Sequence, residues 1–293
     1  MRIACLDDEP VAIVDDRAYR LIGLLPDADR YVTGADRMLA LIRAWPGVAA
    51  AADLDLDLDR LPSFDPAGAA WSAPVPRPGK ILGAPVNYLA HGKEMQLEFT
   101  VERLGVFLKA NSAVIGPGAD INLPSADRRT DHEGELAVVI GRRARHLSPA
   151  DALDAVFGYT CLLDITVRGP EERSLRKSFD TFAPMGPWIV TSDEVGDPGD
   201  LRLRCWVNDD LRQDASTADL IMSVPRLVSY VSRVMTLEPG DVITTGTPEG
   251  VGPIDPGDRV AVEVERVGRL EVGVVAGPTW ASGLLPPTDV VER

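Results

Sequence analysis

The stretch RTDHEGELAVVIG, residues 129–141, decides how the chain is read. Its second half, 136–140, is a short unbroken apolar run and reads as a buried β-strand. Its first half places Asp131, Glu133 and Glu135 at alternate positions. Side chains alternate across a strand, so the three carboxylates would share one face. Like charges side by side destabilise a sheet. Two arrangements relieve them: the solvated side of an edge strand, or a cation held among the carboxylates.

Composition narrows the context. The chain has 293 residues, enough for one large domain or one large and one small domain. Hydrophobic residues make up 45% and charged residues 26%, as in ordinary globular proteins. A formal net charge of −15 makes nucleic acid and anionic membrane poor partners. The cysteines, Cys5, Cys161 and Cys205, form neither a disulfide framework nor a CxxC zinc pair. The opening MRIACLDDEP meets acid within seven residues, unlike a signal peptide. No window approaches a membrane span. A cytoplasmic protein is expected. Only three histidines occur, His91, His132 and His146, so each one's neighbours matter.

Residues 1–24 read as a hairpin, RIACL and VAIVD joined by DDEP. Residues 34–45 have helical spacing, with Met38, Leu39, Ile42 and Trp45 on one side. ADLDLDLDRL, 52–61, alternates strictly and is either a half-buried strand or a solvated acidic connector. The proline-rich segment in SAPVPRPGK reads as a linker. It divides the chain into a small N-terminal domain at 1–71, a linker at 72–78 and a larger domain at 79–293. The larger part is mostly short strands with Gly and Pro turns. A helix is expected from SPADALDAVFG, with Ser148 as N-cap, Asp151 as its box partner and Gly158 as its stop. A second is expected in SVPRLVSYVSRVM, with Leu227, Val228, Val231, Val234 and Met235 on one stripe. The fold class is α+β, dominated by sheet.

Several groups in this part carry chemistry. Asp164 lies in the apolar run YTCLLDITVR, and a buried carboxylate requires a partner or a cation. Glu133, Glu135 and Asp164 together supply three oxygen ligands, a set suited to Mg²⁺ or Mn²⁺, with Ca²⁺ also possible, rather than zinc. HEGEL at 132–136 is not a zinc-protease motif, because Leu136 stands where the second histidine belongs. In NYLAHGKEM, a helical turn would put His91 and Glu94 in contact at i,i+3. A carboxylate beside a histidine fixes its tautomer, as a general base requires; the alternative is a surface ion pair. Lys177 stands beside aromatic and turn residues, where it would steady an oxyanion or be one more basic residue. TTGTPEGVGP reads as a glycine-rich turn of neither Rossmann nor P-loop spacing.

Seven segments in order resemble the fumarylacetoacetate hydrolase family: GAPVNYLAHGKEM, VFLKANSAVIGPG, DHEGELAVVIGRRAR, GYTCLLDITVR, RKSFDTFAPMGPWIV, VNDDLRQDASTADLI and MTLEPGDVITTGTPEGVG. The resemblance covers about residues 79–293. It implies a mixed β-sandwich roll with a small N-terminal α/β domain, a homodimer, and a site holding Mg²⁺ or Mn²⁺. Glu133, Glu135 and Asp164 match the family's metal carboxylates. His91 and Glu94 match its water-activating dyad, Lys177 the lysine beside the substrate, and Arg168 and Thr247 substrate contacts. Lys109 matches the lysine of the FLKP motif, with Ala110 in place of proline; no chemistry is assigned to it.

The implied reaction is hydrolytic cleavage of a C–C bond in an acylpyruvate or related β-diketo acid, as in aromatic catabolism. A decarboxylase or tautomerase/isomerase of a 2-oxo acid would use the same parts, and a non-enzymatic metal-binding homologue would need no dyad. One departure bears on the substrate. Many members carry an acid and, two places on, a glutamine where this chain has Gly169 and Glu171. Glu171 is therefore expected to face the substrate and to disfavour an acidic tail unless Arg168 or Arg173 pairs with it.

Overall fold

The run at 136–140 is the middle of a strand, Gly134–Ile140, in which every residue is buried. It pairs antiparallel with Val156–Leu163 on one side and Val242–Thr244 on the other. A strand flanked on both sides and covered on both faces has no place for a polar side chain without a partner, hence its composition. The computed structural model describes residues 1–25, 33–52, 61–96, 99–124 and 128–277.

From this centre the large sheet runs outward in both directions. One way it passes through Val156–Leu163 and Ala183–Thr191 to Arg2–Leu6, Glu9–Val14, Arg17–Arg20 and Ser63–Phe64. The other way it passes through Ile81–Gly83, parallel to Val242–Thr244, and ends at Phe107–Lys109. A five-stranded sheet, with Asp210–Ser216 and Asp120–Leu123 at its edges, packs against Gly134–Ile140, Val156–Leu163 and Ala183–Thr191. A three-stranded ribbon sets Thr130–His132 between Thr166–Val167 and Gly252–Pro253. The fold is the β-rich α+β sandwich roll read from the sequence.

The N-terminal hairpin turns at Asp7 and Asp8, both at positive φ (48° and 61°), the mirrored two-residue turn that matches strand twist. Helix Gly34–Ala52 lies against Glu9–Val14, and its Trp45 meets Phe157 edge-on at 5.4 Å between ring centroids. Arg2 and Ile3 pair with Val190 and Ile189, so the first strand continues the large sheet. Ala73, Pro74 and Val75 of the proline-rich segment are buried, and Ser72 pairs with Cys5. The alternating stretch at 52–61 falls mostly outside the described residues.

Two helical expectations need correction. Residues 148–158 do not form a helix. The Asp151 amide donates to Ser148 Oγ at 3.3 Å, as a cap requires, and that hydroxyl donates to the Asp151 carboxylate at 2.6 Å, but only a 3₁₀ turn, Leu153–Ala155, follows. Val156 then enters the strand Val156–Leu163, where Gly158, expected as a helix stop, is part of the ladder. A local cap cannot propagate a helix through residues whose ladder partners lie on two neighbouring strands. Helix Val224–Val234 does form and buries Leu227, Val228 and Val231, but Val234 is 55% exposed and off the buried stripe.

Gly83, on the strand next to the sheet edge, lies under the ring of Phe107, which an added Cβ would overlap. Phe107 is buried and cannot swing out freely. Gly83→Ala is expected to cost about 1–3 kcal/mol by overpacking, read as a lower midpoint in chemical denaturation. An unchanged midpoint would mean the edge strand adjusts without strain.

Candidate active site

Glu133 stands where the chain leaves the ribbon strand Thr130–His132 and enters Gly134–Ile140. That break changes the expected row of three carboxylates. Asp131 stays behind, clamped by Arg129 at 2.7 Å and Arg168 at 2.6 Å. Glu133 and Glu135 instead meet Asp164, which follows the neighbouring strand Val156–Leu163. One oxygen from each of the three lies within 4.8 Å of the others, and all three residues are buried. The solvated edge-strand alternative is excluded, since Glu133 is 4% and Glu135 2% exposed.

The carboxylates are unequally compensated. Glu133 accepts from Lys177 and Arg168, both at 2.8 Å. Burial works against its charge, but the Lys177 and Arg168 cations outweigh it and hold the carboxyl well below the usual range. Asp164 accepts from Lys177 at 2.6 Å and from Lys109. Lys177 also donates to Thr166 at 2.7 Å and lies 5.0 Å from the centre of the Phe107 ring. Burial disfavours its charge, yet Asp164 and Glu133 keep its pKa raised. Glu135 accepts from the Gly246 amide at 2.9 Å and has no ion-pair partner among the described residues. Burial, then the Asp164 charge, pushes its carboxyl up to about 8. Three clustered oxygen donors, one lacking a counter-charge, fit a hard divalent cation.

His91 lies on the short helix Leu89–Glu94, where its Nδ1 faces Glu94 Oε2 at 3.2 Å. Glu94 is fixed from its other oxygen by the Gly250 amide at 2.9 Å. The glycine-rich turn thus reaches the site at three points: Gly246 to Glu135, Thr247 to the Gly134 carbonyl at 3.0 Å, and Gly250 to Glu94. Gly250, at φ 95°, lies so close to the Arg212 carbonyl that a Cβ would overlap it. Asn87 ties the helix to this turn, donating to the Thr245 and Met222 carbonyls at 2.8 and 3.0 Å and accepting from the Met222 amide at 2.7 Å.

A cavity of about 220 Å³ collects these groups. His91, Glu133, Glu135, Asp164, Arg168, Lys177 and Thr247 all line it. His132 does not; its Nδ1 meets the Gly252 carbonyl at 2.8 Å. His146 is on an exposed turn.

Glu171 departs from expectation. It does not line the cavity, because Arg128 binds its carboxylate at 2.9 and 3.1 Å. The Arg128 guanidinium and the Glu171 carboxylate fill the space that a side chain at 169 would enter. Gly169 leaves room for the Arg128–Glu171 pair.

Sequence reasoning missed four contributors. Lys109 is fully buried and donates to Asp164 and to the Lys177 carbonyl; a lysine in the apolar run VFLKA was the available signal. Gln213 donates to Thr247 at 2.7 Å and accepts from the Gly134 amide at 2.9 Å, with no local signal to mark it. Arg173 and Arg176 line the cavity.

The fumarylacetoacetate (FAA) hydrolase C-terminal family model matches residues 80–275. A maleylpyruvate hydrolase of Aquipseudomonas alcaligenes is 47% identical over 213 residues, 69% of this chain and 74% of that protein. The 4-hydroxyphenylacetate degradation bifunctional isomerase/decarboxylase of Escherichia coli is 44% identical over 211 residues, 70% of this chain and 49% of that protein. A crystal structure of maleylpyruvate hydrolase from Sphingobium sp. SYK-6 in complex with manganese(II) and pyruvate superposes with a TM-score of 0.84 at 42% identity, covering 95% of this chain and all of that one.

The packing of 169 against 171 is open to test. Glu171→Ala removes the carboxylate that pairs with Arg128 and is expected to cost about 1–3 kcal/mol, the lower part of that range reflecting a partly solvated pair. Adding Gly169→Asp should return part of the loss, because truncation at 171 vacates the space beside Arg128 that the new carboxylate would enter. If thermal denaturation shows the double variant no more stable than Glu171→Ala alone, the two positions do not substitute for each other.

Proposed function

The chain belongs to the fumarylacetoacetate hydrolase family, and from that premise we propose that it is a divalent-metal-dependent hydrolase cleaving a C–C bond of an acylpyruvate or related β-diketo acid. The observation that carries this reading is the meeting, in one cavity, of His91, whose Nδ1 is paired with Glu94, with Lys177 and the carboxylates Glu133, Glu135 and Asp164. A site that only held a cation would need no paired histidine. The manganese and pyruvate bound to the related hydrolase support the same assignment.

Glu133, Glu135 and Asp164 would hold Mg²⁺ or Mn²⁺, which when bound supplies Lewis-acid polarisation of substrate oxygens. Glu94 accepts from Nδ1–H of His91 and so makes Nε2 the basic nitrogen. Nε2 takes a proton from water, and the resulting hydroxide adds to the distal carbonyl carbon. The Lys177 ammonium, held by Glu133, Asp164 and Thr166, offsets the negative charge that develops. Arg168 and Thr247 orient the substrate from the cavity wall. The C–C bond then breaks, its electron pair passing to the pyruvoyl fragment, whose carbon takes up the proton carried by His91. One water is consumed, and a carboxylic acid and pyruvate leave.

All the proposed groups fall within 79–293, which supports a catalytic unit there, preceded by the segment 72–78 and by a small unit at 1–71 whose first strand joins the same large sheet. A homodimer, on the resemblance, in the cytoplasm, on the scarce cysteines and the acidic opening stretch, completes the reading. A second reading, isomerase or decarboxylase chemistry on a 2-oxo acid, is favoured by the Escherichia coli relative. Assays of acylpyruvates, oxaloacetate and hydroxymuconate-type acids, with product identification, separate the two.

Loss of a positioned base typically costs about 10²–10⁴ in rate. His91→Ala should lower kcat by that order while leaving Mn²⁺ affinity nearly intact, and adding Glu94→Gln should make it no worse, since the pair acts as a unit. A His91→Ala enzyme that keeps a tenth or more of wild-type kcat, with chemistry rate-limiting, would place the base elsewhere. Asp164→Asn removes a charge and keeps the shape, so divalent-cation binding measured by calorimetry should weaken strongly. EDTA should abolish turnover, and Mg²⁺ or Mn²⁺ should restore it; full activity in metal-free buffer would refute the metal assignment.

A further inference from the structure

Asp164 and Lys177 both touch a side chain that the cavity does not expose. Lys109 ends the edge strand Phe107–Lys109, where its backbone pairs with Ile81. Its side chain is fully buried and does not line the cavity, whereas Asp164 and Lys177 do. An ammonium in a protein interior is costly unless its hydrogen bonds are well made. This one donates to Asp164 Oδ1 and to the Lys177 backbone carbonyl. Lys177 Nζ takes the other Asp164 oxygen, Oδ2, at 2.6 Å. Asp164 is thus held at Oδ1 from behind and at Oδ2 from the cavity side, which fixes the rotation of its carboxylate.

Lys177 is held at both ends as well. Its ammonium donates to Glu133, Asp164 and Thr166 at 2.8, 2.6 and 2.7 Å. Its carbonyl stands just past the short helix Arg173–Arg176, where a helix leaves carbonyls without internal donors, and Lys109 supplies one. Phe107, two residues before Lys109 and so on the same side of the strand, puts its ring centre 5.0 Å from Lys177 Nζ. The residue after Lys109 repeats the tie: the Ala110 amide donates to Ser178 Oγ at 2.9 Å. A proline at 110 would have no N–H to give. Two successive residues of the edge strand therefore pin residues 177 and 178 beside the carboxylates.

We propose that Lys109, seconded by the Ala110 amide, is a positioning residue for the reaction: without touching the substrate, it sets how the Asp164 carboxylate faces the cation site and where the Lys177 ammonium stands against it. This rests on the roles given above to Asp164 and Lys177. A donor that holds a ligating carboxylate from outside typically accounts for about 10–100-fold in metal affinity or activity. A counter-charge alone would act on the metal in the opposite sense. A buried cation repels a second one, so removing it would tighten binding.

The test combines calorimetric Mn²⁺ binding with steady-state kinetics on acetylpyruvate and fumarylpyruvate. It compares wild type with Lys109→Met, Lys109→Arg and Ser178→Ala, each checked for folding by its melting curve. Lys109→Met should bind Mn²⁺ about ten- to a hundredfold more weakly. At saturating Mn²⁺ its kcat should fall by a similar factor while KM stays near the wild-type value. Lys109→Arg keeps the charge but spreads it over a planar fork, so its kcat should also stay low. Ser178→Ala leaves every charge of the cluster in place; it should lower kcat a few-fold, the size of one hydrogen bond, at unaltered Mn²⁺ affinity. Tighter Mn²⁺ binding in Lys109→Met, or wild-type kcat in Lys109→Arg, would make Lys109 a counter-charge only and overturn the inference. Should neither Lys109 variant fold, unchanged kcat in Ser178→Ala overturns it, and a few-fold loss upholds it. If wild type cleaves neither acylpyruvate while Lys109→Met still weakens Mn²⁺ binding, the hydrolase reading fails and the positioning of Asp164 stands. If wild type is active and no variant changes kcat or Mn²⁺ affinity, the inference fails and the hydrolase reading stands.

Discussion

Burying Glu133, Glu135 and Asp164 within reach of one another is the constraint on which the surrounding structure depends. An isolated carboxylate in a protein interior is costly, and three together add mutual repulsion. The chain answers with cations from distant positions: Lys109 and Lys177 on Asp164, Lys177 and Arg168 on Glu133. Glu135 is left with a backbone amide and no cation among the described residues. That asymmetry makes the cluster a candidate metal site instead of a closed ion-pair network. A network whose charges all cancelled would have less to gain from a divalent ion.

The glycine-rich turn at 245–252 carries the second organising role. Its backbone amides and one threonine hydroxyl touch Glu135, Glu94 and the Gly134 carbonyl, so one loop couples the carboxylate cluster to the histidine helix. Side chains at Gly246 or Gly250 would collide with neighbouring backbone, which explains glycine at both positions. Asn87 closes the arrangement from below the helix with three buried hydrogen bonds. Fixing a short helix at both ends restricts His91 to few orientations, which a general base needs.

The arginines around the cavity show how charge is distributed at its wall. Arg128 and Arg168 are committed to internal acids, and Arg129 joins Arg168 on Asp131. The Gly169–Glu171 arrangement adds to this by drawing an acid away from the cavity. Arg176 donates to the Glu171 backbone carbonyl at 3.0 Å, while the Glu171 carboxylate is held by Arg128. Gly169 lacks a side chain where the Arg128–Glu171 pair packs, so the acid at 171 is held in the space beside it.

Local sequence determined what depends on local physics. The apolar run at 136–140 marked a buried strand, Asp164 within an apolar stretch marked a buried carboxylate, and the i,i+3 spacing of His91 and Glu94 marked a contact. Each follows from strand alternation, burial cost or helical geometry within a few residues. Local signals misled where distant partners outweighed them: a Ser148 side-chain cap yields to strand pairing with residues near 139 and 190, and the chain leaves one sheet for another between Asp131 and Glu135. Tertiary structure alone decided which charges meet. Lys109 finds Asp164 across 55 residues, Gly246 finds Glu135 across 111, and Gly250 finds Glu94 across 156. Nothing in a lysine or a glycine names a partner that far away, because the energy that selects it comes from relieving a charge that only the assembled core has buried.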